Sequence, residues 1–532
     1  MAVGSGLPPL IGGKFEIARM RELVAQWVLM HEHPFKVIEQ AGFNNLLRYA
    51  SPGWEKISHV TSKYDCMKVY EMEKKKLKAV LKNIDRISLT TDLWNSSNQK
   101  LEYMVLMGHW IDTNWRLNKR VLSFVRLKPP RGGVQIADSV FNCLREWGIE
   151  NKVFTISVDN ASSNDLAIKV LKENFSITKK LLCGGKLFHV RCCAHILNIM
   201  VQDGLSQIRH IIKDVRDSVY YINQSESRLQ IFSEIVQQLQ LPHRKLILDC
   251  KTRWNSTYEM LATALKFQSV FPRYSERDQH FTSCPLEEDW VKIQKVCEIL
   301  KVFNVTTNII SGSEYPTSNK FLAELCKVKV LLDKHAEDEN EFLRTMVTKM
   351  KGKFDKCWGE CNLLIAIAAV LDPRCKMRVL DYAFPKIYGD LDARVHSTTV
   401  RDALYELYRE YVTTSQSSAD QHMPATRQGK GRGSGSGTNV DDDSSGWLDL
   451  MNYVDVIETT ASEKSELDSY FEEPCYKCQV DYETFDALKW WQANSLKYPV
   501  LCKVARDILA VPISTVASEA TFSTGSRVID NY

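Results

Sequence analysis

Alternation of apolar and polar positions picks out two short stretches. In Ile87-Ser88-Leu89-Thr90-Thr91-Asp92, Ile87, Leu89 and Thr91 fall on one face, and Ser88, Thr90 and Asp92 on the other. In Val153-Phe154-Thr155-Ile156-Ser157-Val158-Asp159, Phe154, Ile156 and Val158 face one way, and Thr155, Ser157 and Asp159 the other. A period of two over runs this short predicts strands. Each strand ends on an aspartate, so two carboxylates can stand side by side at one end of a sheet. Paired carboxylates suit hard divalent cations. Taken singly, an aspartate at a strand end reads as a turn or cap residue.

The pattern around them predicts an α/β unit over residues 86–195. Tyr103 to Ile111 is a near-continuous apolar run, as in a central strand. Asp112-Thr113-Asn114 is a turn signal, and Arg116 to Leu127 gives a third strand. Ile136, Val140, Leu144 and Trp147 share a helix face that Gly148 stops. Ser162 and Asp165 open a helix bearing Leu166, Val170, Leu171 and Phe175, and Leu187 to Val190 predicts a fifth strand. Three strands, then helix, strand, helix, strand is the order of an RNase H-like core, one of several α/β folds that periodicity allows.

The flanks predict helices. Residues 1–85 form an N-terminal helical region, broken at Pro34 and Gly42, with a lysine-rich helix from Asp65 to Asn83. Its charges read as a solvated face, with DNA contact as the alternative. Residues 196–412 carry helical stripes such as Ile208, Ile211, Ile212, Val215 and Val219, and predict a large helical region. Residues 413–446 are rich in Ser, Gly, Thr and Asp and predict a disordered linker. Residues 447–532 return to an apolar helical pattern through Leu488, Trp491, Leu501, Val504 and Ile508, and end on an element carrying Glu519.

Composition adds less. A chain of 532 residues is too long for one compact core. The net charge of +4 permits nucleic-acid binding without requiring it. Fifteen cysteines at irregular spacing fit reduced thiols rather than a disulfide framework. We expect no membrane partner and no secretory leader, and no compact Lys/Arg cluster marks a nuclear-import signal.

Five motifs occur in order: Thr91-Asp92-Leu93-Trp94; Val158-Asp159-Asn160-Ala161; Arg191-Cys192-Cys193-Ala194-His195-Ile196-Leu197-Asn198; Arg253-Trp254-Asn255-Ser256-Thr257; and Ser518-Glu519-Ala520-Thr521-Phe522-Ser523. The ordered set resembles the hAT transposase superfamily, and within it the plant RICESLEEPER/DAYSLEEPER branch. The resemblance implies an α/β plus α fold: an RNase H-like core interrupted by a helical insertion, with a C-terminal helical dimerisation region. It implies an acidic triad at Asp92, Asp159 and Glu519, holding Mg²⁺ or Mn²⁺ for cut-and-paste DNA chemistry. It places Arg253, Trp254 and His195 near DNA, with Trp254 beside the cleavage site.

Cys192 and His195 form one Cys-x-x-His pair, near Cys183, His189 and Cys193. A structural zinc site wants four ligands, so the pair reads first as a packed thiol and a hydrogen-bonded imidazole, with zinc the alternative. Cys475 and Cys478 read as free thiols. The family's usual BED zinc finger has no counterpart before Asp92, and the chain ends soon after Glu519. The expectation is therefore a transposase-derived nuclear protein that binds DNA and self-associates through its C-terminal region, without productive transposition. The alternative is an active metal-dependent transposase using the Asp/Asp/Glu site.

Overall fold

The computed structural model describes residues 15–96, 100–178, 181–358, 362–420, 464–478 and 484–529. Five strands form one sheet: β1 (Ile87–Asn95), β2 (Glu102–Ile111), β3 (Leu117–Leu127), β4 (Val153–Val158) and β5 (His189–Arg191). Their order is β3-β2-β1-β4-β5. The first three are antiparallel neighbours, whereas β4 runs parallel to β1 and to β5. The connections explain this. Short turns join β1 to β2 and β2 to β3, while β4 and β5 each follow a helix, as a parallel crossover requires. At the second turn, Asp112 Oδ1 accepts the N–H groups of Asn114 (2.9 Å) and Arg116 (3.0 Å).

One sheet face packs Leu89, Met104, Leu106, Ile156 and Val158 against the helices Gly133–Trp147 and Ser162–Thr178. These helices touch at Gly133, where a Cβ would lie 2.5 Å from the Ser163 carbonyl oxygen. The other face is also covered. Val105 and Met107 pack under Phe522 of the last helix, Val516–Ile529. All of Ile87 to Thr91 is therefore buried, although its alternation suggested one covered face.

The strict alternation expected in β4 is interrupted. Ile87 pairs with Val153 but Leu89 pairs with Ile156, so β4 carries one extra residue. This bulge keeps Val153 with Ile156 and Val158 and turns Phe154 into the opposite core. Beyond the bulge the pairing is regular, with Leu89 opposite Ile156 and Thr90 opposite Ser157, two residues before Asp159.

From Cys193 to Asp420 the regular elements among the described residues are helices. The helix Asp390–Asp420 runs past residue 412, so the linker predicted from 413 begins inside it; residues 421–446 lie outside the described residues. The C-terminal helices Glu466–Glu472, Ala487–Ala493 and Pro499–Leu509 share one core with the insertion. Trp491 Nε1 donates to the Leu371 carbonyl (3.0 Å), and the Tyr470 hydroxyl donates to that of Val370 (3.0 Å). The apolar series of this region thus packs within its own chain.

The N-terminal helices Ile17–Met30, Ala41–Ala50 and His59–Lys82 enclose a small separate core. Gly42, expected as a breaker, lies in the first turn of Ala41–Ala50. The basic helix starts at His59, where Ser58 Oγ accepts from Thr61 N (3.2 Å). Among the described residues, no helix is long and apolar enough to cross a membrane.

Candidate active site

Asp92 lies in β1 and Asp159 just past the end of β4. Parallel pairing of these neighbours puts both carboxylates at one end of the sheet. Asp159 Oδ1 accepts from Ala161 N (2.9 Å) and Asn164 Nδ2 (2.6 Å), which fix it at the start of the helix Ser162–Thr178. Asp92 Oδ1 accepts from Leu93 N (2.8 Å). Glu519 comes from the first turn of Val516–Ile529, which lies across β1 and β2, and is exposed there.

Charge couples Asp92 and Glu519 to their neighbours. Desolvation raises the Asp92 carboxyl to about 7; the Leu93 hydrogen bond opposes the rise, and the charges of Glu519 and Asp159 add to it. Glu519 is also pushed up, first by desolvation; Arg253 and His195 pull it back, and Asp159 adds to the rise. Two residues predicted to lie near DNA therefore sit within electrostatic reach of the third carboxylate.

A hard divalent cation would relieve this repulsion, and three carboxylates are the donor type it takes. Beside Asp159, the Asn160 Oδ1 is buried without a hydrogen-bond partner. The donors thus fit in kind and charge. Among the described residues, however, no three His, Cys, Asp or Glu side chains are gathered closely enough to hold one ion.

Trp94, Arg253, Glu519, Phe522 and Ser523 line an open cleft of about 360 Å³. Arg253 is exposed, but Trp254 is only 3 % exposed and belongs to the core under the helix Trp254–Leu265. Placed there, Trp254 offers the cleft no free ring face on which a base could stack. Arg253 is the N-cap of that helix and Trp254 its first residue, so the two side chains diverge. The aromatic surface at the cleft is instead Trp94, stacked on Phe522 with ring centroids 6.0 Å apart. Sequence reasoning left Trp94 out of the site, although it stands two residues beyond Asp92 and hence on the same strand face.

The Cys-x-x-His pair divides its work. Cys192 Sγ caps the helix Cys193–Leu205 by accepting from His195 N (3.4 Å), and also accepts from Thr515 N (3.3 Å) and Thr515 Oγ1 (3.4 Å). The thiols of Cys183 and Cys193 turn to the carbonyls of Ala403 and Arg191. As placed, these side chains do not converge as a zinc site.

Four known family models match the chain. The ZBED1 RNase-like domain matches residues 90–187, and the ZBED1 RNase-like helical domain 190–299. The hAT-like transposase RNase-H fold matches 319–411, and the hAT family C-terminal dimerisation region 466–532. The chain is 35% identical to zinc finger BED domain-containing protein RICESLEEPER 2 of Oryza sativa subsp. japonica, over 97% of this chain and 72% of that protein. It is 31% identical to DAYSLEEPER of Arabidopsis thaliana, over 97% and 71%. It is 34% identical to a putative AC transposase of Zea mays, over 95% and 62%. An RNase H-like sheet, a helical insertion and a matching C-terminal region, shared with relatives at this identity, establish that the chain belongs to the hAT transposase family.

Proposed function

We propose that this chain is a self-associating nuclear DNA-binding protein that cuts DNA strands at the Asp92/Asp159/Glu519 site with Mg²⁺ or Mn²⁺. One observation carries the reading. The charges of Asp159 and Glu519 push up the Asp92 carboxyl, and that of Asp159 pushes up Glu519, beside Arg253 and an open cleft. The expectation of a protein without productive transposition rested on the missing finger, the early end of the chain and a branch that includes domesticated regulators; the charge effects on Asp92 and Glu519 support the alternative.

Asp92, Asp159 and Glu519 would hold the cation, which supplies charge neutralisation and an activated water when bound. Arg253 offers a guanidinium to a phosphate at the cleft. Trp94 offers an indole face to a base, held in plane by Phe522. Asn164 and the Ala161 N–H keep Asp159 oriented. The dimerisation-region match and the putative transposase relative support self-association and DNA as the substrate.

A second reading is a DNA-binding, self-associating protein that does not cut. The absence among the described residues of three donors gathered for one ion favours it. Nicking of supercoiled plasmid in Mg²⁺ or Mn²⁺, wild type against Asp159→Asn, separates the two. Metal-dependent nicking lost in the variant supports the enzyme. Low-salt DNA binding without nicking supports the second reading, and no binding at low salt defeats both. A fluorescent fusion tests the nuclear assignment.

A further inference from the structure

Glu519 reaches the sheet on a segment that crosses it, and that segment is hydrogen-bonded at nearly every step. Ser157 Oγ donates to the Pro512 carbonyl (2.5 Å), and Cys193 N to that of Ile513 (2.9 Å). Ser514 Oγ donates to the Ile310 carbonyl (3.2 Å). Thr515 donates twice to Cys192 Sγ, through its N–H and its hydroxyl. Ser518 Oγ donates to Thr90 Oγ1 (2.8 Å), whose other partner is His109 Nε2 (3.0 Å). Burial pushes His109 down to about 3, so its ring is neutral and can accept the Thr90 proton.

The placement of these partners has a pattern. Thr90 stands two residues before Asp92, and Ser157 two residues before Asp159. A strand turns such residues to the same face. Each carboxylate-bearing strand therefore holds the Glu519 segment through the residue next to its own aspartate on that face. Between them, Cys192 follows β5 and starts the helix that bears His195.

We propose that Cys192 is a positioning residue for Glu519: its sulfur, accepting from both donors of Thr515 and from His195 N, sets the last helix against Asp92 and Asp159. The inference rests on the carboxylate reading given above and adds the residue that fixes its third member. Cys192 is 1 % exposed, and its sulfur faces three donors. A zinc ion at that sulfur would have to displace them. Thr515 precedes Glu519 by four residues, and its carbonyl accepts the Glu519 N–H (3.1 Å), so a shift at the sulfur passes along one helical turn.

The test compares Cys192→Ala, Cys192→Ser and Thr515→Val in the full chain. The properties read are plasmid nicking at saturating DNA and its Mn²⁺ dependence, DNA affinity, zinc content, and hydrogen exchange of peptides covering 512–529 and 193–205. In Cys192→Ala, nicking should fall about 10- to 100-fold, the loss expected for a reacting group displaced by up to about an ångström, with DNA affinity unchanged within about twofold. The Mn²⁺ concentration for half-maximal nicking should rise, and exchange should speed up in 512–529 and in the first turn of Cys193–Leu205, which Cys192 caps. Cys192→Ser, which keeps an acceptor, should recover most of each loss. Adding Thr515→Val to Cys192→Ala should add little, since the hydroxyl-to-sulfur bond it removes is already gone. Unchanged exchange across 512–529 in Cys192→Ala, or a serine variant as impaired as alanine with one zinc lost per chain, would overturn the proposal. If wild type itself fails to nick, the cutting reading falls, while the exchange data still decide the role of Cys192.

Discussion

Arg216 and Asp249 form a buried ion pair whose loss can be predicted in size and in sign. Arg216 Nε and Nη2 each donate to one Asp249 oxygen at 2.7 Å, and Thr257 Oγ1 donates at 2.8 Å. The Asp249 side chain is 0% exposed. Burial alone would raise its carboxyl, but the Arg216 and Thr257 hydrogen bonds outweigh that and hold it below its usual value. Asp249 in turn precedes the Cys250–Ser256 turn that presents Arg253 to the cleft: Ser256 Oγ accepts from Cys250 N (2.8 Å) and donates to the Arg253 carbonyl (2.6 Å). Arg216→Met strands the carboxylate in the core, which costs about 3–5 kcal/mol. Read locally, that is a fall in exchange protection of roughly two to four orders of magnitude over residues 241–265, up to the limit set by global opening. The pH dependence should also reverse. In wild type the lowered carboxyl contributes stability above its unfolded value near 4 and loses it as pH falls further. In the variant the unpaired carboxyl is raised, so stability increases as pH drops from 8 toward 5. Arg216→Met/Asp249→Leu removes the stranded charge and should regain most of the protection. The assay is hydrogen exchange at pH 6 and pH 8, corrected for intrinsic rates. Protection within a few-fold of wild type in Arg216→Met, or the wild-type pH trend, would refute the argument.

Three further outcomes follow from the site and the core. Asp92, raised to about 7, holds a proton in the folded chain that its unfolded form has lost, so its contribution to stability falls as pH rises from about 4 to 7. Its ionised fraction goes from about 0.1 at pH 6 to about 0.9 at pH 8, so Mn²⁺ affinity by calorimetry should rise up to about tenfold and release a proton below pH 7, and Asp92→Asn should flatten the profile. Trp94→Ala should weaken DNA binding or nicking with little change in thermal stability, whereas Trp254→Ala should cost about 3–5 kcal/mol of stability, read by denaturation, as expected for emptying a buried indole. Deleting residues 466–532 should yield aggregated protein by size-exclusion chromatography rather than a clean monomer, because Leu467, Tyr470, Trp491 and Leu501 close the core of the insertion.

How much the sequence revealed depended on whether neighbours in the chain are neighbours in space. Asp92 and Asp159 were legible because strand alternation fixes which face an end residue takes, and the bulge in β4 lies upstream of Asp159. Glu519 carries no local signature; an isolated glutamate in a helix reads as solvated, and only its surrounding motif singled it out. The resemblance set Arg253 and Trp254 together near DNA, yet the helix starts between them and sends one to the cleft and the other to the core. The linker boundary failed because polar composition does not stop a helix that is already propagating from a packed segment, here Asp390–Asp420.

The contacts invisible to periodicity explain how a site split across the chain can assemble at all. β1 is buried on both faces, and the second face is covered only when the last helix docks. Without that helix, Val105 and Met107 would stand uncovered, and the hydroxyls of Thr90 and Ser157 would lose their partners from the C-terminal segment. Covering Val105 and Met107 stabilises the sheet, and the same docking places Glu519. The helical insertion takes part in this docking, since Ser514 bonds the Ile310 carbonyl and Ser318 Oγ donates to that of Ile508 (3.4 Å). The carboxylates from the two ends of the chain therefore meet through packing that the insertion supports. A substitution deep in that insertion can disturb the site without touching any of its side chains.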